Sequence, residues 1–310
     1  MAEAVDICIP IYNESIRDVL AVLNHQKKQI PEVTIEIFLI DDASPDLAIR
    51  DENREAANTY GATYIQQETN AGRSKTRNAF LKTTKARWLL FLDGDSLPAN
   101  DHFLELYLRH LKDKSEVSVF YGGTQYPPSV DDRYRLHHAY ATDREALPLV
   151  DRQANPVGSF HGNNFIIRRD LLEAHPFEER LTRYGHEDSL LAIRLALAGV
   201  SIQHIDNPVQ HLGLVDNVTF LQKTQQAVRH LAHIQQCLPP KTLKDYSSLW
   251  KWYLRCRWFW PRSLSASWSE GWMNRREQEM RAGEYHSRRF AMYKLLYLLQ
   301  LDPLARMHGR

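Results

Sequence analysis

Apolar residues come in short unbroken runs through the first two-thirds of the chain, each run followed by a polar cluster. "VDICIP" (Val5 to Pro10), "IEIFLI" (Ile35 to Ile40) and "RWLLFL" (Arg87 to Leu92) read as buried strands. "ATYIQ" (Ala62 to Gln66) is a weaker strand, and "VSVFYG" (Val117 to Gly122) a fifth. Helical patterns fill the gaps. One opens at Ser15, with Asp18 three residues on as in a capping box. A second opens at Ser44-Pro45, where Ser caps and Pro needs no N–H. Others run from about Ser74 to Lys82, from Pro98 toward Leu111, and through "EDSLLAIRLALAGV" (Glu187 to Val200), which closes at Gly199. "SIQHI" (Ser201 to Ile205) is a short strand, "PVQHLG" (Pro208 to Gly213) ends the region, and residues 122–128 and 155–164 carry loop chemistry.

Strands alternating with helices predict an α/β fold: a mostly parallel sheet flanked by helices. Near-continuous apolar strands agree, because parallel sheets are covered on both faces. Ligands of such folds bind beyond the carboxyl ends of the strands. Tyr12 and Asn13, Asp41 and Asp42, and Asp93 and Asp95 follow three successive strands and should converge on one edge. Beyond Val215 the composition turns to Gln, Arg, Leu and Trp at helical spacing. The expected division is 1–213 as the α/β domain and 214–310 as a helical appendage.

Composition narrows the class only modestly. Of 310 residues, 43% are hydrophobic and 25% charged, ordinary for a globular protein. A net charge of +1 gives no electrostatic reason to expect nucleic acid. Cys8, Cys237 and Cys256 are widely spaced, so neither a thiolate zinc site nor a disulfide framework is expected. With no signal-peptide pattern and no apolar run of bilayer length, the cytoplasm is the expected location.

The polar clusters carry the chemistry. "DGD" (Asp93 to Asp95) places two hard oxygen donors at a turn that Gly94 permits, which suits Mg²⁺ or Mn²⁺. The same aspartates could instead cap the next turn. "DDASPD" (Asp41 to Asp46) either caps a helix or offers a carboxylate to the imide N–H of a uracil ring. "NAGRSKTRN" (Asn70 to Asn78) groups Arg73, Lys75 and Arg77, as a solvated helix start or a diphosphate contact. "GHEDS" (Gly185 to Ser189) sets Glu187 and Asp188 in a first helical turn, where the helix dipole favours carboxylates in any protein. Such a group could also deprotonate an acceptor hydroxyl. His211, after the last strand, is either a core histidine or a further metal ligand.

Taken in order, "CIPIYNE", "LIDDASPD", "NAGRSKTRN", "LLFLDGDSLP", "HGNNFIIRRDLL" (His161 to Leu172) and "RYGHEDSLLAIRLALAG" (Arg183 to Gly199) resemble a family 2 glycosyltransferase of GT-A fold. The last two are similar to the chondroitin-polymerase-type branch with its galactosyl- and N-acetylgalactosaminyltransferase domains. The resemblance spans about residues 5–213. It implies a nucleotide-sugar donor, UDP-linked, and a saccharide, lipid-linked or protein acceptor. Pro10, Tyr12 and Glu14 would surround the nucleoside, with Asp41 or Asp42 on the base and Arg77 near base or diphosphate. Asp93 and Gly94 would lie against the donor. Asp93 would meet ribose or metal, Asp95 would bind Mn²⁺ or Mg²⁺, and His211 would be the later ligand. Asn163 and Asn164 would line the sugar pocket. Asp188 would be the base of an inverting transfer, with Glu187 on sugar or acceptor. Two departures stand out. Ala43 replaces the glycine of the family's "DDGS", and the processive-polymerase "QxxRW" signature is absent. Two alternatives are a nucleotidyltransferase, disfavoured because "PIYNES" lacks a Gly-rich loop, and a non-catalytic nucleotide-sugar-binding scaffold.

Six of the seven tryptophans, Trp250, Trp252, Trp258, Trp260, Trp268 and Trp272, crowd the appendage beside Lys251, Arg255, Arg257 and Arg262. Three roles suit residues 249–272: packing onto the catalytic domain, peripheral contact with the inner face of a membrane, or docking of an acceptor or partner protein.

Overall fold

The computed structural model describes residues 4–113, 116–181, 185–258, 266–302 and 304. Arg183 and Tyr184 of the sixth motif, and Trp260 and Arg262 of the aromatic stretch, lie outside the described residues. In chain order the elements are β1 (Val5–Ile11), α1 (Arg17–Lys28), β2 (Ile35–Asp41), α2 (Leu47–Tyr60), β3 (Thr63–Gln66), α3 (Arg73–Thr83), β4 (Trp88–Phe91), β5 (Ser96–Pro98) and α4 (Phe103–Asp113). There follow β6 (Val119–Tyr121), β7 (Thr124–Gln125), a 3₁₀ turn (Asp132–Tyr134), α5 (Arg135–Arg144), α6 (Leu149–Ala154), β8 (Phe165–Arg168), α7 (Arg169–Ala174) and α8 (Glu187–Leu197). Last come β9 (Gln203–His204), β10 (Val209–His211), α9 (Asn217–Gln236), α10 (Leu243–Tyr246), α11 (Ser248–Cys256), α12 (Ala266–Arg281) and α13 (Ser287–Leu301).

The chain forms two compact units. The first comprises Met1–Pro127, Ala146–Thr182 and Glu187–Gly213. Its seven-stranded sheet has the order β3-β2-β1-β4-β8-β6-β9. β1 lies parallel to β2 and β4, β2 to β3, and β6 to β9, while β8 runs antiparallel to both β4 and β6. Alternate residues serve opposite faces. Ile7, Ile9 and Leu90 pack with α1 and α4, whereas Cys8, Leu89 and Phe91 join Phe80, Phe165 and Leu191. Both faces are therefore buried, the physical reason for the unbroken apolar strands. Asp6 is the polar exception within β1, and its carboxylate accepts from the Lys85 and Ala86 N–H groups.

Several local expectations fail for tertiary reasons. Ser15 forms no capping box; its hydroxyl donates to Glu52, and α1 starts after Ile16 without a side-chain cap. Ser44 does not cap α2 either. Its hydroxyl accepts from the Asn13 N–H, and Asp46 takes the cap by accepting from Ala48 and Ile49. Pro98 ends β5 rather than starting a helix, and α4 waits until Phe103. The strand expected over 117–122 shortens to 119–121.

The second unit comprises Pro128–Glu145, Arg183–His186 and Leu214–Arg310. Asp216 caps α9 by accepting from Val218 and Thr219. Asn217 accepts from the Leu136 N–H and donates to the Asp132 carbonyl, tying α9 to the 3₁₀ turn and α5. Phe220 stacks on His137, and Tyr140 meets Phe290 of α13. Among the described residues, no helix is long and apolar enough to cross a membrane.

Candidate active site at the carboxyl ends of the strands

Three loops leave β1, β2 and β4 at their carboxyl ends, and all belong to the first unit. After β1, Tyr12 stands 52% exposed and Glu14 turns inward. After β2 the chain reverses through Ala43, at φ +58°. That is the left-handed region, where the missing glycine would sit without strain. Asp41 is wholly buried; its carboxylate accepts from the Ser44 N–H at 2.7 Å and the Tyr64 hydroxyl at 2.5 Å. Asp42 accepts from the Ala71 and Gly72 N–H groups at 2.6 and 2.9 Å, anchoring the loop ahead of α3.

After β4, Asp93 accepts from Arg77 Nη2 at 2.9 Å. Asp95 lies 3.0 Å from His211 Nδ1. That approach is set by β5 and β10, which pair antiparallel with Ser96 opposite His211. Asn163 fixes the same turn from β8's side, accepting from the Asp93 N–H and donating to the Ser96 hydroxyl at 2.8 Å. A Cβ at Gly94 would come within 2.8 Å of Glu14, and one at Gly213 within 1.8 Å of Asp95.

The electrostatics are those of crowded carboxylates. Burial, then Asp95 and Asp93, push the Glu14 carboxyl up to about 8. Burial also raises Asp93, against the pull of Arg77. Burial works the same way on Asp95, but the hydrogen bond and charge of His211 prevail and hold it below its ordinary range. Arg77 supplies the opposing charge. It is buried, pairs with Asp93, and lies 3.6 Å from Glu187. Its Nε and Nη1 atoms have no hydrogen-bond partner, an uncommon state for buried donors.

At the start of α8, Glu187 is buried between Arg77 and Arg73, each at 3.6 Å. Asp188 points elsewhere. Its carboxylate accepts from the Gly162 and Ser189 N–H groups at 3.1 and 2.6 Å and has His161 Nδ1 at 3.9 Å.

The structure thus gathers Glu14, Arg77, Asp93, Gly94, Asp95, Asn163, Glu187, Asp188 and His211 into one region. Pro10 is the penultimate residue of β1, and Tyr12 directly follows the strand. Asn164 differs: it is wholly buried, donates to the Gly123 and Asn207 carbonyls and accepts from the Tyr107 hydroxyl, so it braces loops beneath the site. Sequence reasoning gave no role to Ser96 or His161. Both sit inside quoted motifs, yet only the fold brings them to His211 and Asp188. Among the described residues, no three His, Cys, Asp or Glu side chains are grouped to hold a metal by themselves.

Comparison with known proteins adds an independent line. The sequence model described as glycosyl transferase family 2 matches residues 6–175. An uncharacterized glycosyltransferase of Haemophilus influenzae is 34% identical over 89 residues, which cover 29% of this chain and 28% of that relative's length. Among solved structures, the mannosyltransferase PcManGT from Pyrobaculum calidifontis, in complex with GDP-Man and Mn²⁺, aligns over 100% of this chain and 88% of its own. Its TM-score is 0.59 at 17% identity. S. aureus TarS 1-349 in complex with UDP aligns over 100% and 92%, with a TM-score of 0.52 at 17% identity. Glucosyl-3-phosphoglycerate synthase from Mycobacterium tuberculosis, with Mn²⁺, UDP and glucosyl-3-phosphoglycerate, aligns over 77% and 82%, with a TM-score of 0.53 at 16% identity. The shared fold is that of the GT-A glycosyltransferases.

Proposed function

The chain belongs to glycosyl transferase family 2, and from that premise we propose a metal-dependent, inverting transferase. It moves a sugar from a UDP-linked donor to a hydroxyl of a saccharide, lipid-linked or protein acceptor. The observation that carries the reading is the approach of Asp95 and His211, 116 positions apart in sequence, to 3.0 Å beside Asp93 and Arg77.

That donor set fits a divalent cation of the manganese or magnesium type. Asp95 and His211 offer one oxygen and one nitrogen, and such ions take further ligands from water and substrate phosphates. Asp95 and His211 would hold the ion, with Asp93 near. When bound, it neutralises charge on the departing nucleoside diphosphate. The chain's own residues supply the rest. Nε and Nη1 of Arg77 make no hydrogen bond, Nη1 having only the longer ion pair to Glu187, so the guanidinium retains donors for an anionic acceptor such as a diphosphate. Of the two aspartates after β2, Asp41 is wholly buried and sealed by Tyr64, so the less enclosed Asp42, at 6% exposure, is assigned to the base. Glu187 holds Arg73 and Arg77 in place rather than meeting substrate.

Asp188 acts as general base. The two N–H groups it accepts from hold its carboxylate in a fixed orientation. It takes the proton of the attacking hydroxyl as that oxygen bonds to the anomeric carbon. The carbon–phosphate-oxygen bond breaks on the opposite face, and the electron pair leaves with UDP. Base assistance of this kind supplies roughly 10²–10⁴-fold. The test is nucleotide release from a panel of nucleotide sugars with Mn²⁺, alongside donor-induced thermal shift. Asp188→Asn should lose release while keeping the shift. Release by that variant at the wild-type rate would move the base elsewhere, and a panel giving neither signal would refute the transferase.

A further inference from the structure

Helix α11 buries one side and leaves the other bare. Trp250 and Tyr253 are enclosed. Lys251, Trp252 and Arg255 are exposed, and Trp258 follows one turn on. At 100° per residue Lys251, Trp252 and Arg255 form a strip on neighbouring parts of one face of α11, and exposed Trp258 stands two residues beyond the helix end. Trp252 is 53% exposed and Trp258 79%, unusual for the largest apolar side chain. Each indole is paired with a cation: the Arg255 guanidinium lies 5.3 Å from the Trp252 ring, and that of Arg257 lies 5.0 Å from Trp258. Between residues 241 and 258 the chain carries five basic side chains against one acidic, Asp245.

We infer that this strip is a docking surface for an anionic lipid bilayer. Indole rings have an apolar body and a polar N–H, which suits the headgroup layer. The adjoining cations complement acidic headgroups, and long basic side chains keep their charge at that depth. A second copy of this chain is the poorer occupant, because a twofold contact would oppose like charges. The catalytic residues play no part in this contact, so it stands or falls apart from the transferase reading.

The test is co-sedimentation of the full chain with phosphatidylcholine vesicles, with and without phosphatidylglycerol. Wild type should pellet with the anionic vesicles alone and be released by high salt. Each basic group strengthens such binding about fivefold, so Lys251→Gln with Arg255→Gln should weaken it about 25-fold. Trp252→Ser with Trp258→Ser should abolish pelleting at unchanged melting temperature, since both rings are exposed. Failure of wild type to pellet, or equal pelleting by both double variants, would overturn the inference. So would a wild-type dimer that the tryptophan variant converts to monomer, because the strip would then be a subunit contact.

Discussion

Replacing Gly213 with alanine tests the site through a single methyl group. The Gly213 backbone is not left-handed, so alanine fits it without strain. The obstacle is Asp95. The new Cβ would stand 1.8 Å from Asp95 Oδ2 and 2.6 Å from its Cγ. Comfortable separation is about 3.5 Å, so the carboxylate must retreat by about 1.7 Å. It starts only 3.0 Å from His211, and the pair parts. Misplacing a reacting or binding group by about 1 Å can cost roughly 100-fold, equivalent to about 2.7 kcal/mol of barrier. Gly199→Ala is the control. Gly199 has φ +76° with nothing within 4 Å of a built Cβ. Alanine there should cost about 1 kcal/mol of stability and leave turnover alone. The two variants should separate cleanly when Mn²⁺-dependent nucleotide release is measured beside thermal melting. Wild-type turnover in Gly213→Ala would refute the assignment of Asp95 and His211.

Three further outcomes follow from the same geometry. Ala43→Gly should relieve a left-handed alanine worth about 1–2 kcal/mol, partly offset by the looser unfolded chain, for a net gain of about 0.5–1 kcal/mol by urea denaturation. Glu178 is held down to about 2 by hydrogen bonds from Arg180 and then Arg194. Its pKa is depressed on folding, so its stabilisation is full above the ordinary glutamate range near 4.5 and fades as pH falls from there toward 2. With the exposed Arg180 discounted for screening, Glu178→Gln should cost about 1–2 kcal/mol at pH 7, and urea midpoints should converge with wild type on acidification. His161→Ala removes the ring beside Asp188. Nucleotide release should slow while the donor-induced thermal shift stays, and release at the wild-type rate would assign the ring to packing alone.

What the sequence made legible was whatever repeats locally. β1, β2 and β4 show as apolar runs because both sheet faces are covered, and the polar clusters after them mark the ligand edge directly. β8 was hidden: four residues, "FIIR", inserted antiparallel between β4 and β6, with no period to betray them. Side-chain direction was equally illegible. Asp41 and Asp42 are neighbours, yet one is sealed by Tyr64 and the other turned to Ala71 and Gly72. Ser15 and Ser44 are good caps on paper, and distant partners claimed both hydroxyls. Adjacent Glu187 and Asp188 likewise diverge, one toward two arginines and the other toward a glycine amide.

The small sheet of β5, β10 and β7 carries a consequence for how this protein can change. Its β5–β10 ladder is three residue pairs long and, extended by the Leu212 N–H donating to the Asp95 carbonyl, brings position 211 back to position 95. Loops within the intervening span, away from Asn163, Glu187, Asp188 and the strands β6, β8 and β9, can therefore lengthen, shorten or diverge without parting His211 from Asp95, provided those three rungs stay in step. A lineage could vary those loops while inheriting the Asp95–His211 approach unchanged. A slip of one rung, by contrast, would turn the imidazole to the opposite face of the strand, away from Asp95.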